Sequence, residues 1–580
     1  MKQIKFLLIA LLLAFGFSSC AEKETERERW INEQLEQMTV RQQIAQLFVV
    51  HFHPPAGEAH IRAVMEELRD EQLGGVIIGW VTPTEGAQFI NEMQSQVRVP
   101  LLVTMDAEWG ISMRVDSVIR FPQQLKLGAI QDPNLIYQMG LEMARQCRLF
   151  GVHMNFAPVV DVNNNPNNPI ISMRSFGEDP HKVTERAYQI MRGMHDGGIL
   201  TTLKHFPGHG DTDLDSHHTL PVIAHDRARL DEIELFPFRE LVKRGATGVM
   251  TAHLLVPALC DANVTVSQSR AVVHDLLVEE MGFQGLIVTD ALNMVGATEG
   301  LEDYNRAGLY SLIAGNHILE MPIDVRASIT IIEEAVINGE IEVELVHNAL
   351  RKILGAKFDL GLNKGFEPIN PNGILERLNT PAAYELRMRL AQAALTLLTN
   401  RDAVLPLNAE AKGIQQVRHI AIGQGDDFKN QLHELAGIES ITIGADYTQA
   451  QINAATRNFR NGETIIVSYH HIPGRRYSFA NFPVSETVVN FTQNLAKNHN
   501  VILVFFGNPY AIANFSQPEV FSGFIVAYDN SAEAQVSSAR AIFGQIPFLG
   551  RLPITINELF AENDGIILRA MHPDRGLEIP

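Results

Sequence analysis

The sequence predicts an α/β protein: a (β/α)8, TIM-like barrel followed by a second α/β sandwich domain. Two observations predict it. Between about Trp30 and Leu360, short apolar, β-branched runs alternate with longer helical patterns, the signature of βα units on a parallel sheet. Eight such runs occur, the number that closes a barrel and more than an open doubly wound sheet needs. Beyond them a stretch rich in turn formers opens onto a second set of alternating runs.

The eight expected strands are Ile44–Val50, Gly75–Gly79, Leu101–Asp106, Val152–Val160, Thr201–Lys204, Gly248–His253, Leu286–Asp290 and His317–Met321. Between them lie amphipathic stretches such as Leu135–Leu149, His181–His195, Leu230–Arg244 and Ser269–Met281. An open dinucleotide-binding sheet is the competing architecture. It would carry a glycine-rich turn after its first strand, and His51-Phe52-His53-Pro54-Pro55 stands there instead. The linker is Asn363–Asn379, with Pro368, Pro371 and Gly373. A helix over Ala382–Leu398 should follow, then strands at Val417–Gly423, Thr464–Tyr469, Val501–Gly507, Gly523–Ala527 and Leu552–Ile556. The division is therefore residues 1–20 as a targeting segment, 21–362 as the barrel, 363–380 as linker and 381–580 as the second domain. Few strands of the second domain end in charge, so support or shaping of a substrate rim is expected of it rather than chemistry.

Residues 1–20 are set apart from the fold. Lys2 and Lys5 precede an apolar run, Phe6–Phe17, too short to span a bilayer comfortably. Phe17-Ser18-Ser19-Cys20 then ends it before an abruptly polar Ala21-Glu22-Lys23-Glu24. This resembles a bacterial lipoprotein signal in which Cys20 becomes the lipidated first residue. Export to the cell envelope with a lipid anchor, in periplasm or outer membrane, is the expectation; ordinary signal-peptidase cleavage or an N-terminal anchor are the alternatives. A net charge of −20 over 580 residues argues against nucleic acid or an anionic membrane surface as main partner. Only Cys147 and Cys260 remain in the body, both in apolar surroundings, which suits buried thiols and no disulfide scaffold.

Function enters at the strand ends. In such barrels reacting groups come from the C-terminal ends of the strands. Here six of eight end in Asp106, Asp161, Lys204-His205, His253, Asp290 and Glu320. Packing gives a core strand no reason to finish in a charge or an imidazole, so a shared polar pocket is expected.

The densest polar feature follows the fifth strand: Lys204-His205-Phe206-Pro207-Gly208-His209-Gly210-Asp211-Thr212-Asp213-Leu214-Asp215-Ser216-His217-His218. A metal site is one reading, but Pro207, Gly208 and Gly210 forbid the helix that His205 and His209 would need, and Ser216 and Val222 stand where a calcium loop needs glycine and glutamate. A solvated structural loop is a second. Acid/base catalysis is the third: Asp215 and His217 flank one residue, so the carboxylate can fix the imidazole's tautomer and favour its protonated form. No metal and no cofactor are expected.

At this loop the chain resembles family 3 glycoside hydrolases, specifically their β-N-acetylhexosaminidase branch. Lys-His-Phe-Pro-Gly-His-Gly followed by Asp-Ser-His carries the resemblance, which runs from about Trp30 to the C-terminus and includes Leu398–Leu407 and Gly550-Arg551-Leu552-Pro553. It implies a retaining exo-β-N-acetylhexosaminidase acting on terminal β-linked N-acetylglucosamine, in glycans or peptidoglycan fragments. The family's nucleophile motif is matched by Thr289-Asp290-Ala291-Leu292-Asn293-Met294, which implies Asp290 as nucleophile. The branch's histidine–aspartate dyad implies His217, held by Asp215, as acid/base, with His218 the neighbouring alternative. Substrate binding is implied for Asp106, Arg174, Lys204 and His205. His209 is expected to brace the loop. The chain departs from the family at Asp106-Ala107-Glu108-Trp109-Gly110, where Asp-x-Glu-Gly-Gly-Arg is common, so Glu108 and Arg114 are left without a role and Trp109 either stacks beside the site or braces its loop. Two other readings remain open: a β-N-acetylglucosaminide phosphorylase, because a histidine acid does not repel phosphate, and a catalytically inactive carbohydrate-binding lipoprotein.

Overall fold

The computed structural model describes residues 26–216, 218–410, 414–470 and 483–571. Cys20 and the targeting segment, and His217, lie outside the described residues.

Eight parallel strands form the barrel: β1 Phe48–Phe52, β2 Gly75–Ile78, β3 Leu102–Met105, β4 Met154–Asn155, β5 in two pieces (Leu200–Thr201 and Leu203–Phe206), β6 Gly248–Thr251, β7 Leu286–Thr289 and β8 Leu319–Glu320. Each pairs with its neighbour in chain order. The β7–β8 contact is a single bridge, Val288 to Ile318, and β8 closes the ring on β1 with Phe48 opposite Leu319 and Val49 opposite Glu320. The strands are mostly buried and apolar or β-branched because both faces are covered, one by packed side chains and one by helices; His51, Lys204, His205 and Glu320 break the pattern toward the C-terminal ends.

The helices start where the sequence offers caps. Asp132 and Asp179 cap Pro133–Leu149 and Pro180–Asp196, each with proline in the first helical position. Two expectations shift. The first strand begins at Phe48, four residues late, because Thr39 and Gln42 form a reciprocal capping box that makes Val40–Ala45 helical. The stretch expected as one helix over Leu230–Arg244 is two, Arg227–Glu232 and Leu235–Lys243, the second carrying Pro237 in its first turn.

After the helix Pro381–Ala394 comes a six-stranded sheet: β9 Thr396–Asn400, β10 Arg418–Ile422, β11 Ser440–Ile443, β12 Thr464–Tyr469, β13 Asn500–Phe505 and β14 Gly523–Val526, in the order β9-β14-β13-β12-β10-β11. Only β9 runs antiparallel. Alternate residues face opposite layers, so Ile465, Val467 and Tyr469 join one core while Ile466, Ile502 and Val504 join another. The helix expected through Leu398 therefore stops at Ala394 and gives way to β9. Leu552–Ile556 is not a strand: Pro553 presents its carbonyl to the Glu178 N–H at 3.0 Å, and Thr555 binds the Glu178 carboxylate. Among the described residues no helix is long and apolar enough to cross a membrane. Cys147 is fully buried, which pushes its thiol up to about 12, and Cys260 is half-buried.

Candidate active site

A pocket of about 400 Å³ opens at the C-terminal ends of the barrel strands. Asp106 follows β3, Lys204 and His205 lie in β5, Asp290 follows β7 and Glu320 ends β8; all of them line it, with Glu108 and Arg174. Asp290 is fixed from both sides: its backbone N–H donates to Thr251 O at 2.9 Å, and its Oδ1 accepts the Ala291 N–H at 2.8 Å.

One wall is a continuous chain of charge. Arg114 Nη2 meets Asp106 Oδ2 at 2.9 Å, and Lys204 Nζ bridges Asp106 Oδ1 at 2.7 Å and Glu108 Oε1 at 3.1 Å. Glu108 in turn takes a forked pair of bonds from Arg174, Nε at 3.0 Å and Nη2 at 2.7 Å. Arg174 Nη2 lies 3.2 Å from His205 Nε2, and His205 Nδ1 lies 2.7 Å from Asp161 Oδ2. A guanidinium only donates and a carboxylate only accepts, so His205 carries its proton on Nδ1 and presents the Nε2 lone pair to Arg174. Asp161 also accepts the backbone N–H groups of His205 at 3.1 Å and His209 at 2.7 Å, tying the start of the polar loop to the segment that follows β4.

The electrostatics follow from these contacts. Burial alone would raise Asp106, but Lys204 and Arg114 outweigh it and hold its carboxyl well below the usual carboxylate range. Glu108 is held low in the same way by Arg174 and Lys204. Burial penalises the Lys204 ammonium, yet Asp106 and Glu108 more than compensate and its pKa is raised. Glu320 differs: burial, then Asp106 and Asp290 beside it, drive its pKa well above the ordinary value. His51 and His209 are pushed down to about 4, chiefly by burial and then by neighbouring imidazoles.

The loop after β5 is built on close approaches. A Cβ on Gly210 would lie 1.7 Å from Val162 O, so only glycine fits there. Asn168 Nδ2 donates to His209 O at 2.8 Å and Gly210 O at 2.9 Å. His209 bonds Thr212 Oγ1 at 2.9 Å and Ser216 Oγ at 3.0 Å, pinning both ends of the turn that carries Asp215. The Asp215 carbonyl accepts from His218 N and Thr219 N, so the turn closes on itself. Below the loop, Asp211, His225 and Glu234 are close enough to share an ion, but Arg229 already occupies the cluster, 2.6 Å from Glu234 Oε2 and 3.7 Å from Asp211 Oδ2.

Residues 39–356 match the model of the glycosyl hydrolase family 3 N-terminal domain. The chain belongs to glycosyl hydrolase family 3. Among curated relatives, the β-hexosaminidase A of Pseudoalteromonas piscicida is 30% identical over 426 residues, 66% of this chain and 70% of its own. Among solved structures, a family 3 β-N-acetylglucosaminidase from Paenibacillus sp. str. FPU-7 is 27% identical at a TM-score of 0.75, covering 90% of this chain and 99% of that one. The β-glucoside phosphorylase BglX, 21% identical, superposes at a TM-score of 0.77 over 92% of this chain and 97% of its own; at that identity the likeness is one of fold.

Within this family 3 glycoside hydrolase, the pocket gathers Asp106, Arg174, Lys204, His205 and Asp290 in one place. Asp215 sits on the turn above, half-buried, and His218 beside it is exposed. His253 is not among the pocket's lining residues; its Nδ1 bonds Ser267 Oγ at 2.8 Å behind the strands. Trp109 is buried with the Arg120 guanidinium 5.1 Å above its ring, so it braces its loop rather than facing the pocket. Sequence reasoning missed the parts played by Glu108, Arg114 and Asp161, although the strand-end rule already pointed at Asp161. No described residue of the second domain lines the pocket. That domain instead backs the Arg174 loop: Asn508 Nδ2 donates to Ser172 Oγ at 2.9 Å and Tyr510 OH to Asn163 O at 3.2 Å. A second cavity, of about 370 Å³, lies between barrel and second domain, but its Lys126 is paired with Asp529 and its Arg387 with Glu533.

Proposed function

We propose that this glycoside hydrolase is a retaining exo-β-N-acetylhexosaminidase releasing terminal β-linked N-acetylglucosamine. The observation that carries the reading is Asp290 sharing one pocket with Asp106, Arg174, Lys204 and His205. The names of the relatives and the signature of the loop agree with it.

In this reading the Asp290 carboxylate attacks the anomeric carbon as His217 protonates the departing glycosidic oxygen. A glycosyl-enzyme ester forms. His217, now neutral, takes a proton from water, which displaces Asp290. Asp215 orients the imidazole and stabilises its protonated form. The wall binds hydroxyls: Glu108 engages Nε and Nη2 of Arg174, which leaves Nη1 to meet the sugar, while Asp106 and Lys204 offer an acceptor and a donor. We also assign export and a lipid anchor at Cys20, supported by the run that precedes it. Membrane partitioning that survives Cys20→Ser would overturn the anchor.

Initial rates on aryl β-GlcNAc, β-GalNAc and β-glucoside substrates test the function. The GlcNAc substrate should lead, and Asp290→Asn should lose on the order of 10⁴-fold in kcat. Sugar 1-phosphate formed in the presence of phosphate would turn the assignment to a phosphorylase. Inertness of the wild-type protein on all three would leave a carbohydrate-binding lipoprotein.

A further inference from the structure

Glu320 ends β8 in the pocket and, among the described residues, is ion-paired with no cation. Asp106 has Lys204 and Arg114, Glu108 has Arg174 and Lys204, and Asp161 has His205 and two backbone N–H groups. The backbone of Glu320 is fully engaged: its N–H donates to Thr289 Oγ1 at 3.0 Å and its carbonyl accepts from Leu292 N at 2.9 Å. Its side chain is not. The residue is 3% exposed and lines the pocket beside Asp106 and Asp290, yet its Oε2 has no hydrogen-bond partner among the described residues. Buried polar atoms are almost always satisfied, and one that is not asks for a ligand.

We propose that Glu320 contacts substrate, its carboxyl forming a hydrogen bond with a hydroxyl of the pyranose ring seated beside Asp290. The inference rests on the pocket being the sugar site. Chemistry then sets the polarity of the contact. Glu320 faces two carboxylates, and the nearest cations, Lys204 and Arg114, are already paired with Asp106 and Glu108. Burial and the charges of Asp106 and Asp290 push its pKa well above the ordinary carboxyl value, which favours the protonated group. A neutral carboxyl brings one O–H donor to a pocket whose neighbouring carboxylates only accept. It also adds no negative charge next to the nucleophile. Glu320 is thus a specificity-determining residue: it recognises a hydroxyl that the acceptor carboxylates cannot recognise as an oxygen.

Two measurements test this. Infrared spectra at neutral pH should show a protonated-carboxyl C=O stretch that is absent in Glu320→Gln and that shifts when N-acetylglucosamine is added. This needs no turnover, so it stands apart from the hydrolase assignment. Kinetics on aryl β-GlcNAc substrates lacking one ring hydroxyl supply the second. Glu320→Leu should lose roughly 10- to 100-fold in kcat/KM on the parent substrate. It should lose little more on the one deoxy substrate whose missing hydroxyl is the partner, and Glu320→Gln, which keeps a donor, should recover part of the loss. Absence of the infrared band overturns the protonated state, and a band that ignores the sugar overturns the contact. Equal losses for Glu320→Leu on every deoxy substrate also overturn it, leaving a packing role. If Glu320→Leu does not fold, Glu320→Gln and the infrared band decide the matter alone.

Discussion

The charged wall and the loop after β5 meet at one pocket but are built on opposite principles. In the wall, Glu108 is 2% exposed and Arg174 9%, and every side chain from Arg114 to Asp161 is held by at least one short ion pair or hydrogen bond. In the loop, Leu214 is 49% exposed and Asp213 and His218 stand in solvent; order comes from glycine close approaches and hydrogen bonds at the base. The difference teaches where each task belongs. Recognising a sugar's hydroxyls requires preorganised groups that do not move. Passing a proton first to a leaving oxygen and then from water requires a group that can meet two positions, and the proposed acid/base dyad lies on the more exposed loop.

The largest expected effect falls on the loop. Removing the imidazole with His217→Ala should lower turnover about 10²- to 10⁴-fold for substrates with poor leaving groups, and much less for activated aryl glycosides that leave without a proton. Leaving-group dependence of kcat measures it. Equal losses on both would shift the acid away from His217, with His218 the next residue to replace. The wall should behave otherwise, its variants losing binding on all leaving groups alike.

The wall's own break point is the Arg174–Glu108 pair. Arg174→Met leaves a buried carboxylate with Lys204 alone and should cost about 3 kcal/mol of stability in urea unfolding, because removing one partner of a buried pair strands the other. Neutralising the orphan as well, in Arg174→Met/Glu108→Gln, should recover part of that cost while binding stays impaired. A single variant as stable as wild type would mean that the wall is not preorganised by its ion pairs.

The same contrast explains what could be read from the chain. Asp106, Lys204, His205, Asp290 and the Asp215 turn lie in contiguous motifs, and the eight barrel runs are mostly buried strands whose largely apolar character is visible locally. Glu108 was passed over because its meaning is its partner, and Arg174 is 66 residues away. Asp161 gains its role from two backbone N–H groups across the β4–β5 boundary, which no spacing encodes. In the second domain the strands missed, Thr396–Asn400 and Ser440–Ile443, are both sheet edges with half-buried, polar-interrupted residues, so their pattern is diluted where the central strands' is not. Leu552–Ile556 has the composition of a strand but is claimed by the barrel through Glu178.

His209 joins the two regions. It is buried and hydrogen-bonded to Thr212 and Ser216 of the loop, while its backbone N–H donates to Asp161 of the wall. Burial, then the neighbouring His205, lowers its pKa to about 4, against about 6.5 in the unfolded chain. The unfolded state therefore binds the extra proton first as pH falls. Stability linked to this group is fully present above about pH 6.5 and is lost as pH drops toward about 4, to a total of about 3 kcal/mol. Urea unfolding across that window should show the decline, and His209→Gln, which cannot titrate, should flatten it. His51 is lowered to about 4 as well and contributes in the same direction, so the flattening is partial. If loop and wall are coupled through His209, the kcat of His209→Gln should fall with the leaving-group dependence of the loop, not the uniform loss of the wall. A uniform loss would place His209 with the wall and leave the loop pinned by Gly210 and Asn168 alone.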